Sequence, residues 1–120
     1  MNHRMARVGQ DLRAKLSAIL TERTRDPRLV GVTILEVRAA VDLSYARVFY
    51  RTYGDRDEAE SALEKANPYL RRCLAERLKL RRVPELDFRY DESQERAQRV
   101  EGILRELDAA RDPDGRENET

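Results

Sequence analysis

The spacing of apolar residues changes four times along this chain, and each change marks where one kind of element must give way to another. Met5, Val8, Leu12, Leu16, Ile19 and Leu20 recur at helical spacing, which puts them on one stripe of an amphipathic helix over residues 4–23. Asp26-Pro27 closes that stretch, because proline pushes the residue before it out of helical geometry. Residues 32–37 and 43–53 are then rich in β-branched and aromatic side chains, with a polar break at Asp42, and read as a hairpin of two strands. In the second of them Ala46, Val48 and Tyr50 alternate with Arg47, Phe49 and Arg51, so one face packs and the other carries charge.

Helical spacing returns with Ala59, Ala62, Leu63 and Ala66, a narrow stripe of mostly small residues. Asp57 can cap this helix, with Glu60 three residues on completing a capping-box-like pair. Asn67-Pro68 reads as the end of one helix and the start of the next, since asparagine favours the N-cap and proline the first helical position. The following helix is predicted over residues 68–82. Leu70, Cys73, Leu74 and Leu78 share one of its faces, and Arg71, Arg72, Lys79 and Arg82 gather on the other. Arg77 points into the apolar sector and needs a carboxylate or a path to solvent. Pro84 breaks the pattern, Leu86, Phe88 and Tyr90 alternate with Asp87 and Arg89 as a third strand, and Asp91 can cap a last helix carrying Ala97, Val100, Ile103, Leu104 and Leu107. The predicted order is α-β-β-α-α-β-α, an α+β fold. Its 120 residues suffice for one modest core, assigned to a single domain over residues 1–110. Residues 111–120 offer nothing to bury and are predicted to be a disordered acidic tail.

The net charge is only +1, yet the charges are segregated. Residues 1–84 hold 18 Lys/Arg against 11 Asp/Glu, and residues 85–120 hold 6 against 12. Between Tyr69 and Arg82 stand Arg71, Arg72, Arg77, Lys79, Arg81 and Arg82, with Glu76 the one acid among them. Such a basic stripe is the footprint of a polyanion-binding surface, though charged residues also coat exposed helices with no partner at all. A mean hydropathy of −0.81 and the absence of a long apolar run imply neither a membrane span nor a secretory signal, and so a cytoplasmic protein. One cysteine, Cys73, excludes an internal disulfide and a zinc cluster, and fits a helix core as a small hydrophobe. His3 has no partner in sequence, and Asp55, Asp57, Glu58 and Glu60 suit the first turn of a helix. No nucleophile–base pair, phosphate loop or metal-ligand spacing stands out, so no enzyme activity, metal or cofactor is expected.

Three strands with a helix pair before the last one match the order of a type II KH domain, a module for single-stranded RNA. The residues narrow this further. Arg7-Val8, Asp26-Pro27-Arg28-Leu29, the run from Asp42-Leu43-Ser44 to Ala46, Val48 and Tyr50, Ala66 with Tyr69-Leu70-Arg71, and Leu80-Arg81 with Pro84-Glu85-Leu86, Phe88, Asp91 and Ser93 stand in order and spacing. Together they resemble the ribosome-binding factor A family over about residues 4–107. The resemblance implies a KH-like factor that binds the small (30S) ribosomal subunit and its 16S rRNA. It also implies help with late maturation and 5′-end processing, departure before translation, no catalysis and a monomeric free state. The family carries Ala-x-Gly at the helix junction, and this chain has Ala66-Asn67-Pro68 instead. Proline keeps a kink while removing an N–H donor and adding bulk, which puts direct backbone contact with RNA there in question.

The expected RNA-binding residues are Arg4, Arg7, Ala66, Asn67, Pro68, Arg71, Arg72, Lys79, Arg81 and Arg82. For Arg81 a structural pair with Glu85 or Asp91 stands beside a phosphate contact. Arg28 is read as structural, paired with Asp26. Tyr45, Phe49 and Tyr53 alternate with Arg47 and Arg51 and could stack bases, but such residues more often line a sheet, and they are left out of the expected site. The competing reading is a protein-interaction module whose basic face is merely solvated.

Overall fold

The computed structural model describes residues 3–80 and 82–111, so Arg81 and residues 112–120 of the acidic tail expected over 111–120 lie outside the described residues, while Arg111 is the last residue of a helix. The elements are α1 (His3–Arg23), a single 3-10 turn (Pro27–Leu29), β1 (Val32–Ala39), β2 (Tyr45–Thr52), α2 (Arg56–Arg77), β3 (Glu85–Tyr90) and α3 (Ser93–Arg111). The chain divides into two units, one through Tyr90 and one from Asp91.

In the first unit β2 is central, antiparallel to β1 and parallel to β3. Period-two alternation on β2 buries Ala46, Val48, Tyr50 and Thr52 and leaves the intervening residues on the opposite face. On β1 the two buried residues are Ile34 and Val37, an odd spacing that a regular strand would send to opposite faces. A bulge resolves this. The register shifts between Ile34 and Glu36, Leu35 is the extra residue, and both apolar side chains reach the same core. Leu12, Leu16 and Ile19 of α1 and Leu63, Leu70, Cys73 and Leu74 of α2 close over that one side of the sheet. Gly9 lets α1 come down on β1 so closely that any Cβ there would collide with the Val37 carbonyl oxygen.

The 3-10 turn is held by the Asp26 carboxylate, which accepts from the Arg28 backbone N–H at 3.0 Å and from its guanidinium at 2.7 Å. The structural role read for Arg28 is what the geometry shows. These bonds, the guanidinium first, hold the Asp26 carboxyl down at about 2. A depressed carboxylate adds stability above its unfolded value, near 4, and loses it as pH falls toward 2. Asp26→Asn should therefore flatten the acid limb of the stability curve between about pH 4 and 2. Denaturation profiles of the two proteins that stay parallel through that window would contradict this.

The bounds of α2 differ from the predicted ones. The cap of α2 is Asp55, not Asp57, and its carboxylate accepts from the Glu58 N–H at 2.9 Å. More consequentially, the two helices expected on either side of Asn67-Pro68 are one, with Pro68 inside it. Proline's fixed φ is helical, and the bond it forfeits would have gone to the Glu64 carbonyl one turn back. Both residues are exposed, so that carbonyl is on the side of the helix open to solvent. Asn67 is thus no N-cap.

The second unit is α3, with the Asp91 carboxylate accepting from the Ser93 N–H at 2.8 Å just before it. Val100, Ile103, Leu104 and Leu107 form its apolar stripe and are each more than half exposed.

Candidate nucleic-acid interface

The basic helix inferred from sequence ends at Arg77, five residues short of its expected limit, with the Leu78 N–H closing on the Leu74 carbonyl at 2.9 Å. Leu78 and Leu80 explain the stop. In a helix two residues so spaced lie on nearly opposite sides, whereas in an extended chain both face the same way. Here both pack partly buried against the core with Lys79 outside, so an extended path is the one that buries the two leucines. Lys79 and Arg82 consequently stand on the segment linking α2 to β3 rather than on the helix face opposite the leucines.

Arg71 changes role for the same reason. The linking segment folds back beside α2, and the half-buried Arg71 guanidinium donates to the carbonyls of Pro84 at 3.1 Å and Val83 at 2.9 Å. One turn earlier, Asn67 Nδ2 donates to the Leu86 carbonyl at 3.0 Å. Two residues expected to touch RNA thus staple the start of β3 to α2. Backbone carbonyls beyond Pro84 have no residue-type signature, which is why sequence could not name them as partners. Arg71→Gln should cost about 2 kcal/mol of stability, the scale set by hydrogen bonds from a charged donor. Its thermal unfolding midpoint should fall while that of Arg72→Gln stays put.

The remaining expected residues divide cleanly. Arg4 and Arg7 are exposed in the first two turns of α1, Pro68 is exposed in the middle of α2, and Arg72, Lys79 and Arg82 are exposed toward and beyond its end, whereas Ala66 is half-buried against the core. The Arg72 guanidinium lies 5.8 Å from the centre of the Tyr69 ring. Arg82 stands near the β1–β2 turn, where its charge, after the hydrogen bonds from Ser44, helps lower the Asp42 carboxyl. Arg77 finds the carboxylate its position demanded, Glu22 at 3.0 Å, and Arg23 meets Glu76 at 3.3 Å. These reciprocal pairs tie the C-terminal ends of α1 and α2 together, and the Tyr69 hydroxyl adds a bond to the Arg23 carbonyl at 3.3 Å. The outcome is three exposed cations, Arg72 on the braced α2 and Lys79 and Arg82 on the segment that follows it. Among the described residues no group of His, Cys, Asp or Glu is placed to hold a metal ion, and no helix is long and apolar enough to cross a membrane.

Two helices on one side of a three-stranded mixed sheet, with the last strand parallel to the middle one and exposed basic residues on and after the crossover helix, make this a KH-like α+β domain. The sequence profile of ribosome-binding factor A matches residues 4–104. Ribosome-binding factor A of Pelobacter propionicus is 40% identical over 98% of this chain and 99% of its own. The crystal structure of ribosome-binding factor A from Thermus thermophilus superposes with a TM-score of 0.68 at 30% identity, over 72% of this chain and 93% of that one. A homology model of the T. thermophilus factor, fitted into a cryo-electron microscopy map of a 30S–RbfA complex, superposes with a TM-score of 0.61, also at 30% identity, over 70% of this chain and 91% of that one. The chain belongs to the ribosome-binding factor A family.

Proposed function

We propose that the chain binds the small (30S) ribosomal subunit as a maturation factor, contacting 16S rRNA through Arg72, Lys79 and Arg82 with Arg4 and Arg7 extending the surface. The observation that supports this most directly is the likeness to a factor fitted into a 30S complex, over nearly all of that factor's length. Phosphate neutralisation by the exposed cations supplies most of the affinity and makes it salt-dependent. Preferential binding to an immature rRNA conformation would hold that conformation until the mature form no longer fits, at which point the factor leaves. On this reading it assists late assembly and 5′-end processing in the cytoplasm, as a monomer when free, and without chemistry of its own. Pro68 and the amide of Asn67, engaged with β3, shift the contact away from backbone N–H groups at mid-helix and toward the charged side chains beyond.

Cosedimentation with immature small subunits tests the reading. Free rRNA fragments should displace the protein, and raising salt should release it. Binding that ignores both competitors would identify a protein surface as its target.

A further inference from the structure

The face of the sheet turned away from α1 and α2 has a composition that solvation does not require. Along β2 and the residue after it, Tyr45, Arg47, Phe49, Arg51 and Tyr53 share this face, and the two tyrosines are 45% and 85% exposed. The Arg38 guanidinium, from β1, lies 5.4 Å from the Phe49 ring centre, and that of Arg47 lies 5.8 Å from the Tyr45 ring centre. At its far end a groove of about 310 Å³ is walled by Thr33, Leu35, Arg51 and Tyr53. The Tyr53 ring there lies against Gly31, where a Cβ would stand only 3.2 Å from two ring atoms.

We propose that this face is a second surface for single-stranded RNA, with bases stacking on Tyr45, Phe49 and Tyr53 and phosphates held by Arg38, Arg47 and Arg51. The assignment rests on the reading of the chain as an rRNA binder and places a contact where that reading has none. Alternating rings and guanidinium groups supply the two things an unstructured strand presents, π-faces and phosphates. The acids on this face do not close it, and Glu85, in register with Tyr45 on the edge strand, is exposed. Asp87 is shared by Arg47 at 3.2 Å and Arg89 at 3.1 Å, and Glu36 pairs with Arg38 at 2.8 Å. All three pairs are substantially exposed, and exposed pairs are weak enough for an arginine to exchange a carboxylate for a phosphate.

Spacing selects the strand. Rings four residues apart on a β-strand stand about 13 Å from one another. Neighbouring bases in a helix stack about 3.4 Å apart, so the rings suit an extended, unstacked strand and reject a duplex. One of the exposed cations, Arg82, lies beside an end of this face. Its Tyr45 end adjoins the turn that Arg82 approaches, and the Ser44 carbonyl there accepts from the Glu85 N–H at 3.2 Å.

Titrating the full chain with a ten-nucleotide oligouridylate, followed by NMR, tests the assignment. Ring protons of Tyr45, Phe49 and Tyr53 should shift upfield and saturate, and a duplex of equal length should not move them. Tyr45→Ala with Tyr53→Ala should raise the oligonucleotide Kd about thirtyfold or more, the scale of two missing stacking platforms. Phe49→Leu, which keeps apolar volume and loses the π-face, should weaken binding without loss of fold. Shifts confined to residues 72–82 would overturn the sheet assignment and leave the rRNA-binding reading intact. The absence of any shift would overturn both.

Discussion

Charge reversal at Arg72, Lys79 and Arg82 together is expected to weaken binding to small ribosomal subunits by about a thousandfold. That figure follows from roughly 1.5 kcal/mol for each of three charge-assisted hydrogen bonds to phosphate. The thermal midpoint should hardly move, because all three side chains are exposed and none is a partner in the hydrogen bonds that brace α2. Three fewer neutralised phosphates should also flatten the dependence of log K on log salt by about 2 in slope for single-stranded RNA. Cosedimentation across a salt series reads both quantities at once. If affinity survives reversal, the three cations are ordinary surface. If affinity and folding disappear together, the residues hold the structure. Arg71 does not belong in this experiment, since its guanidinium is bound to backbone carbonyls and its removal would confound the two outcomes.

Gly9→Ala is expected to be the most damaging small substitution in the domain. The added methyl would meet the Val37 carbonyl oxygen, a backbone atom in the middle of β1 that no rotamer change can move aside. Helix α1 must then lift from the sheet, loosening Leu12, Leu16 and Ile19, all fully buried on the same face. A loss of about 3 kcal/mol, at the upper end for overpacking, follows, with a midpoint lower by about 15 °C for a domain of this size. Gly102→Ala is the matched control. It sits on α3 with nothing within 4 Å of an added Cβ, so it should strengthen helix α3 and leave the core transition where it was. A Gly9→Ala protein that melts with the parent would mean that α1 is free to shift on β1.

Sequence carried the elements better than their ends. The periodic stripe Leu12-Leu16-Ile19 and the alternation Ala46-Val48-Tyr50 are local patterns, so α1 and β2 were readable from side-chain type alone. The continuity of α2 through Pro68 was not, because it depends on whether the orphaned carbonyl of Glu64 faces water or protein. The bulge at Leu35 was equally hidden, since it appears only when Ile34 and Val37 must share one core. Of the expected site, Arg72 is exposed on α2 as a helical projection has it, Lys79 and Arg82 are exposed on the segment beyond the helix, and Asn67 and Arg71 turn to β3. Their diversion is set by the return of the chain after Arg77, a tertiary event that no helical projection contains. The family was legible for a different reason, since its motifs are spaced by the fold itself and keep their order where single contacts differ.

The parallel pairing of β2 with β3 has a consequence for how the domain comes into being. As a nascent chain emerges from its N-terminus, α1, β1 and β2 become available first, and the hairpin closes through contacts near in sequence. Its central strand then has one open edge, with Val48, Phe49 and Tyr50 in it, until residues 85–90 have been made and the whole of α2 has folded across. During that interval the strand is a template for any other extended chain nearby. A factor that attends the assembly of ribosomes therefore passes through its own most vulnerable state while still attached to one.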